Sequence, residues 1–332
     1  MKIATYRDLS RLSHGFQMAK VFFAANDLDL FSRLKEGREA AELAYELGVD
    51  GRALTLLLNA LAAMDLVRKE GEIYRNGPAA AEFLVQGEGY RGSIFKHIHH
   101  CWEAWNDLPQ VLEAGHPVAP RENTILKDRE TMTRDFIRGM DDVARELAPK
   151  VVRQLDLGNA RTLLDVGGGP GTYAAAFLEA HPGLEEVRIF DLPGSLAVGR
   201  EKLTARGLLD RVRLVEGDFN HNDFGNGLDA IWISQVFHSQ NEEGCRMLVE
   251  KAFRALNPGG VLAVHEFLLD DDKSSPLSAA VFGVHMLVMT EGGRTYSGAE
   301  IMAWMSEQGF ERPRVQKVSD DTALVLASKP LN

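Results

Sequence analysis

Cysteine is nearly absent. The 332 residues hold only Cys101 and Cys245, too few and too far apart for a disulfide framework or a zinc-ligand set. Long apolar runs are missing too, and none approaches the roughly 18 residues of a membrane helix. Residues 1–15 lack the apolar core of a signal peptide. Positive charge is scarce: the formal net charge is −11, which disfavours broad binding to nucleic acid or an anionic membrane. These absences imply a cytoplasmic protein with no metal, nucleic-acid or membrane partner. Apolar residues still make up 45%, enough for sizeable cores, and the length favours more than one domain.

What the chain does contain is a glycine cluster, Thr-Leu-Leu-Asp-Val-Gly-Gly-Gly-Pro-Gly-Thr, at residues 162–172. Apolar residues run into glycines, and a small-residue run from Tyr173 to Ala180 follows, which predicts strand, tight loop and helix. Gly167, Gly169 and Gly171 let the backbone turn sharply and approach a ligand, and the helix that follows points free N–H groups at it. In a dinucleotide fingerprint starting at Gly167, the third glycine would fall at Thr172. Here it is Gly171, behind Pro170, with Asp165 ahead of the loop. The loop resembles the Asp-x-Gly-x-Gly-x-Gly loop of S-adenosylmethionine (SAM) methyltransferases. Taken alone, it also fits an ordinary strand-to-helix turn.

Upstream, Phe16–Leu34 predicts a helix that is apolar nearly all round, a core helix or one shared with a second subunit. Residues 39–84 predict helix, turn, helix and hairpin, with Asp50 as an N-cap and Gly71 at the hairpin turn. That winged-helix pattern raises a ligand-sensing transcription regulator as an alternative. Between Arg38 and Leu84, however, eight acidic residues face five basic ones, and the would-be recognition helix, Arg52 to Met64, carries one basic side chain. The unit is expected to be a scaffold or dimerisation module. Residues 94–148 predict further helices rich in His and aromatic residues. Trp102, Trp105, Phe136 and Met140 are candidates to line a substrate pocket, joined by His285 and Met289 further on. Helical spacing does not place His97, His100 and Trp105 on one face, so a metal site is not expected. Pro149 is expected near a hinge. The domains read as 1–95, a helical connector 96–150, and 151–332.

From residue 160 strands and helices alternate, which predicts a mostly parallel sheet covered by helices, closed by a C-terminal antiparallel hairpin. Ligands of such sheets bind beyond the carboxyl ends of the strands. Asp191 ends the second strand, where a carboxylate can accept ribose hydroxyls. Asp218 follows the third strand and can accept from an adenine amino group, with Phe219 offering a ring face. His238 comes just after the fourth strand and Glu266 near the end of the fifth. If those strands are neighbours the two side chains can meet, the carboxylate holding one ring nitrogen and leaving the other as a base.

With these residues in hand, the chain resembles the SAM-dependent O-methyltransferases of the plant caffeate and bacterial secondary-metabolite type. The likeness rests on Leu164–Gly171, Phe190-Asp191-Leu192-Pro193, Glu216-Gly217-Asp218-Phe219, Leu256–Gly260 and Gly292-Gly293-Arg294-Thr295. It implies an α/β fold: a Rossmann-like SAM methyltransferase sheet behind a mainly helical, winged-helix-like dimerisation domain. It implies SAM as cofactor, with S-adenosylhomocysteine as product. The cofactor would be held by Asp165, Gly167, Gly169, Gly171, Asp191, Leu192, Asp218, Phe219 and Ser234. His238 would be the base, Glu266 its support, a small hydroxylated molecule the acceptor, and the N-terminal helices a homodimer interface. Two positions depart from the family pattern. His238-Ser239-Gln240 stands where the family often has His-Asp-Trp, and Gly293 stands where plant members carry a second glutamate, with Glu291 the nearest substitute. Methylation at carbon and a SAM-binding enzyme that transfers no methyl group are alternatives of the same family. An NAD-dependent dehydrogenase is disfavoured by the glycine spacing.

Overall fold

The computed structural model describes residues 3–118, 129–319 and 321–331, in two compact units, Met1–His100 and Cys101–Asn332. The first unit opens with α1 (Tyr6–Asp27), started by a capping box in which Thr5 and Asp8 bond each other's backbone N–H groups. The helix expected over Phe16–Leu34 is broken: Asp29 takes a left-handed conformation (φ 50°) and starts a separate turn, α2 (Leu30–Arg33). Asn26, Asp27 and Asp29 explain the break, because short polar side chains favour caps over helix interiors. Phe23, Leu30 and Phe31 are buried, while Tyr6, Leu9, Leu12, Phe16 and Met18 are exposed. Then come β1 (Arg38–Glu39), α3 (Ala40–Leu47), α4 (Gly51–Ala63), β2 (Val67–Glu70), β3 (Ile73–Asn76), α5 (Pro78–Phe83) and α6 (Gly92–Trp105), the last crossing the boundary between the units. Asp50 caps α4 by accepting the Ala53 N–H at 2.7 Å, and Gly71 turns the β2–β3 hairpin at φ 63°. The two-residue β1, which sequence pattern did not reveal, adds a third strand in the order β1-β3-β2.

In the second unit α7 (Leu108–Ala114) and α8 (Arg129–Val152) precede the sheet. Pro149 lies inside α8 and not at a hinge. The helix continues past it because Ala148, Val151 and Val152 are fully buried against the sheet, which outweighs one lost backbone bond. The sheet elements are β4 (Thr162–Val166), α9 (Thr172–Ala180), β5 (Glu186–Asp191), α10 (Pro193–Ala205), β6 (Val212–Glu216), β7 (Leu228–Ser234), α11 (Glu242–Ala255), β8 (Leu256–Glu266), β9 (Leu268–Leu269), α12 (Leu277–Met289), β10 (Tyr296–Ser297), α13 (Gly298–Gln308), β11 (Glu311–Lys317) and β12 (Ala323–Ser328). Seven strands lie in the order β11-β12-β8-β7-β4-β5-β6. The five from β6 to β8 are parallel, and the β11–β12 hairpin adds two antiparallel strands at one edge. The Asn-Pro-Gly-Gly stretch at residues 257–260 lies within β8. Leu228 pairs with Leu256 and Ala230 with Val261, so the intervening residues bulge out, with Gly259 at φ 78°. Apolar residues alternate between the faces, and each face packs its own core, one against α8 and α9, the other against α11 and α13.

Candidate active site

The edge formed by the carboxyl ends of β4, β5, β6, β7 and β8 gathers most of the residues singled out above. Gly167, Gly169 and Gly171 have φ of 71°, 44° and 76°. A Cβ at Gly167 would lie 2.8 Å from Val236 Cγ2, and one at Gly168 would lie 2.6 Å from the Asp165 carboxyl carbon. The loop is therefore both bent and tightly backed. Asp191 stabilises it: its Oδ2 accepts the Gly169 N–H at 2.8 Å and its Oδ1 accepts the Leu192 N–H at 2.7 Å. Burial raises the Asp191 pKa above the ordinary carboxylate range. Asp165, beneath the loop, is 1% exposed, and its Oδ2 has no hydrogen-bond partner. Burial, with Asp191 nearby, pushes its pKa up to about 8.

Asp218 sits at the start of a closed turn after β6. Its Oδ1 accepts the Asn220 N–H at 2.8 Å, while Asn222 Oδ1 accepts the Asp218 N–H at 2.9 Å. Phe219 is half-buried, its ring 4.0 Å from where a Gly167 Cβ would stand.

His238 lies on a short turn after β7, and Glu266 ends the neighbouring β8. The two meet: His238 Nδ1 and Glu266 Oε2 are 2.7 Å apart. An ionised carboxylate only accepts, so Nδ1 carries the proton and Nε2 is left as an acceptor. Glu266 is 2% exposed and is itself fixed, its Oε1 accepting the N–H groups of Phe237 at 2.8 Å and His238 at 3.4 Å. Among the described residues, no carboxylate other than that of Glu266 is hydrogen-bonded to the His238 ring. A Cβ at Gly293 would lie 2.3 Å from the His238 carbonyl oxygen, so that position is packed against backbone. Glu291 is exposed and lines a shallow polar pocket with Ser239, Gln240, Asn241 and Gly292.

Aromatic rings lead away from His238. Phe282 stands edge-on to His238 with centroids 4.8 Å apart, His285 stacks on Phe282 at 5.6 Å, and Trp105 Nε1 donates to His285 Nδ1 at 3.0 Å. Burial, with His238 nearby, lowers the His285 pKa, which favours the neutral ring that accepts from Trp105. Of the six expected pocket residues, Trp105 and His285 are thus joined directly. Trp102 is half-buried on α6, Met140 half-buried and Phe136 exposed on α8, and Met289 exposed at the end of α12.

Two neighbours of the candidate site escaped sequence reasoning. Phe282 carried no signal beyond its place in an apolar helix. Ser234 Oγ is 2.9 Å from Nδ1 of His265, a buried histidine whose Nε2 is 2.9 Å from Thr322 Oγ1. Burial drives the His265 pKa down to about 4. Its position next to Glu266 in sequence was the available clue. His99, from the histidine-rich run, contacts Asp27 at 2.7 Å and Lys20 at 3.2 Å. Among the described residues no cluster of three His, Cys, Asp or Glu is placed for a metal, and no helix is long and apolar enough to cross a membrane.

Against known proteins, residues 106–311 match the O-methyltransferase domain and residues 10–86 the O-methyltransferase dimerisation domain. The chain belongs to the O-methyltransferase family. It is a SAM-dependent methyltransferase. The 3-hydroxy-5-methyl-1-naphthoate 3-O-methyltransferase of Streptomyces sahachiroi is 29% identical, over 95% of this chain and 92% of that one. An N,N-dimethyltransferase, OxyT of Streptomyces rimosus, is 28% identical, over 99% and 98%. The solved structure of PigF with S-adenosylhomocysteine superposes with a TM-score of 0.88 at 28% identity, covering 98% of this O-methyltransferase and 100% of PigF. The site's own features suit such a cofactor: a glycine cradle that a side chain would fill, and the unpartnered buried oxygen of Asp165 beside it.

Proposed function

We propose that this O-methyltransferase moves a methyl group to a hydroxyl of a small aromatic metabolite, with His238 as general base. The observation that carries this reading is the 2.7 Å contact between His238 Nδ1 and buried Glu266, on the sheet edge that also bears the glycine loop. SAM, when bound, supplies a methyl group already activated by its sulfonium. The glycine loop with Asp165 would hold its methionine portion. Asp191, whose oxygens keep lone pairs beyond the Gly169 and Leu192 N–H groups, would accept from the ribose, with Leu192 beside it. Asp218 Oδ2 would accept from the adenine amino group, Phe219 would cover the ring, and the Ser234 hydroxyl would add a polar contact.

His238 Nε2 takes the acceptor's hydroxyl proton. Glu266 keeps the ring from turning and balances the positive charge that the imidazole gains. Phe282, His285 and Trp105 form a flat, largely apolar wall next to the base, which suits an aromatic acceptor, as does the relative named for a hydroxynaphthoate. Trp102, Phe136, Met140 and Met289 are proposed to complete the pocket. His238→Ala should lower turnover by about 10²–10⁴-fold while S-adenosylhomocysteine binds as before. Undiminished turnover would remove the base assignment. The relative named as an N,N-dimethyltransferase favours one second reading, transfer to an amine, and mass spectrometry of the methylated product separates the two.

The match to a dimerisation domain and the exposed stripe Leu9, Leu12 and Phe16, spaced for one helix face, support a homodimer through α1. Light scattering that shows a monomer at micromolar concentration would refute it.

A further inference from the structure

The loop proposed to meet the adenine is short, polar and exposed at Asn220, His221 and Asn222. Such a loop is ordinarily soft. Here it is held from below. Lys251, on the third turn of α11, is only 7% exposed, and its ammonium donates to the carbonyls of Phe219 at 2.7 Å and Asn222 at 3.0 Å. Taking an ammonium out of water is costly, and the loop carbonyls compensate only if they stay in place. The two carbonyls bracket the turn. Inside it the His221 and Asn222 N–H groups both reach the Asp218 carbonyl, at 2.9 and 2.8 Å. With Asp218 Oδ1 taken by the Asn220 N–H, Oδ2 makes no hydrogen bond among the described residues, its nearest basic neighbour being the exposed His221 Nε2 at 3.8 Å, and its direction depends on the turn that Lys251 clamps. Arg254, one turn further along α11, makes a contrast. Its contact to Asp223 at 2.9 Å joins two exposed side chains, the kind of pair that contributes little.

The same helix also holds the base. Asn241 caps α11 directly after the His238 turn, and Cys245 Sγ donates to the Phe237 carbonyl at 3.3 Å. One rigid element therefore carries the supports of both the base and the adenine loop.

We propose that Lys251 is a positioning residue that sets the geometry of the Asp218–Asn222 loop and so determines which nucleobase the cofactor site accepts. The proposal rests on the reading of Asp218 as the group that meets the adenine amino group. Calorimetric titration of the full chain with S-adenosylhomocysteine, and with S-inosylhomocysteine, which has an oxygen in place of that amino group, tests it. Wild type should prefer the first by about 30-fold or more. Lys251→Met keeps the apolar stem and removes the donors. It should weaken S-adenosylhomocysteine by about 10-fold and reduce the preference to about 3-fold or less, with kcat at saturating SAM within about 2-fold of wild type. Arg254→Ala should change none of these. Lys251→Gln keeps a neutral donor group on a shorter stem and should fall between, which keeps the test open should the methionine variant not fold. Wild-type affinity and preference in the folded variants would overturn the proposal, as would a fall in kcat with binding unchanged. If Asp218→Asn abolishes the preference and Lys251→Met does not, Lys251 alone is refuted. If wild type shows no preference, the Asp218 reading falls first.

Discussion

His238 and His265 flank one glutamate, the first touching it through space and the second preceding it in the chain, yet they are opposites. His238 meets a carboxylate through Nδ1, which leaves Nε2 as an acceptor. His265 is 1% exposed, and its two nitrogens are engaged by hydroxyls, Ser234 Oγ and Tyr173 OH at Nδ1 and Thr322 Oγ1 at Nε2. Burial drives its pKa down to about 4, so it is a neutral strut at ordinary pH. The difference arises from strand alternation. Glu266 and His265 are successive residues of β8 and so point to opposite faces of the sheet. One face carries a histidine–carboxylate pair, and the other closes over a ring bonded only to neutral groups. A histidine's chemistry is thus decided by its partner and its access to water.

The contrast is open to attack, first where the largest effect is expected. Glu266→Gln removes the charge that balances a protonated His238, and kcat should fall by about 10²–10³-fold with S-adenosylhomocysteine affinity within about 2-fold. A mild loss in steady-state assays would mean that Glu266 is structural and that the two histidines differ less than their surroundings suggest.

Next is the pH dependence of stability, where two buried groups act in opposite directions. His265 titrates near 6.5 when unfolded and about 4 when folded, so between these values the unfolded chain binds more protons. Stability is lost as pH falls through that window, by about 3 kcal/mol at most from this group. Asp165, pushed up to about 8, binds its proton more tightly in the fold, so its contribution is lost as pH rises from about 4 to 8. Urea unfolding across pH 4–9 should show His265→Leu flattening the acid limb and Asp165→Asn flattening the alkaline one. His265→Leu should also cost about 1–3 kcal/mol at neutral pH, because hydroxyls lose their partner. Parallel curves for wild type and both variants would mean that neither group titrates as its burial implies.

Much of the sheet was legible because β-favouring runs lie beside chemically distinctive residues: Asp165 near the end of β4 and ahead of the glycines, Asp191 ending β5 ahead of Leu-Pro, and Asp218 after the glycine that follows β6. The His238–Glu266 encounter was legible too, since it needed only that two successive strands be neighbours. What escaped depends on side chains crossing between elements far apart in sequence. Lys251 reads as one more solvated charge on an amphipathic helix until its two carbonyl partners are seen. Trp105 and His285, 180 residues apart, could be guessed as pocket residues but not as a bonded pair. The break at Asp29 and the persistence of α8 through Pro149 show local propensity decided in one case by short polar residues and overridden in the other by burial.

The elements around His238 also have different freedoms to vary over evolutionary time. Its carboxylate comes from β8, wedged between β7 and β12, where a change of register would disturb three strands at once. Its aromatic neighbour Phe282, and His285 beyond it, come from α12, a peripheral helix whose Leu277, Val281 and Val284 are exposed. Mutations can accumulate on that helix while the His238–Glu266 pair, the proposed base and its support, stays intact. On the proposed reading, acceptor preference can therefore drift between descendants of one ancestral enzyme without each new activity having to reinvent its base.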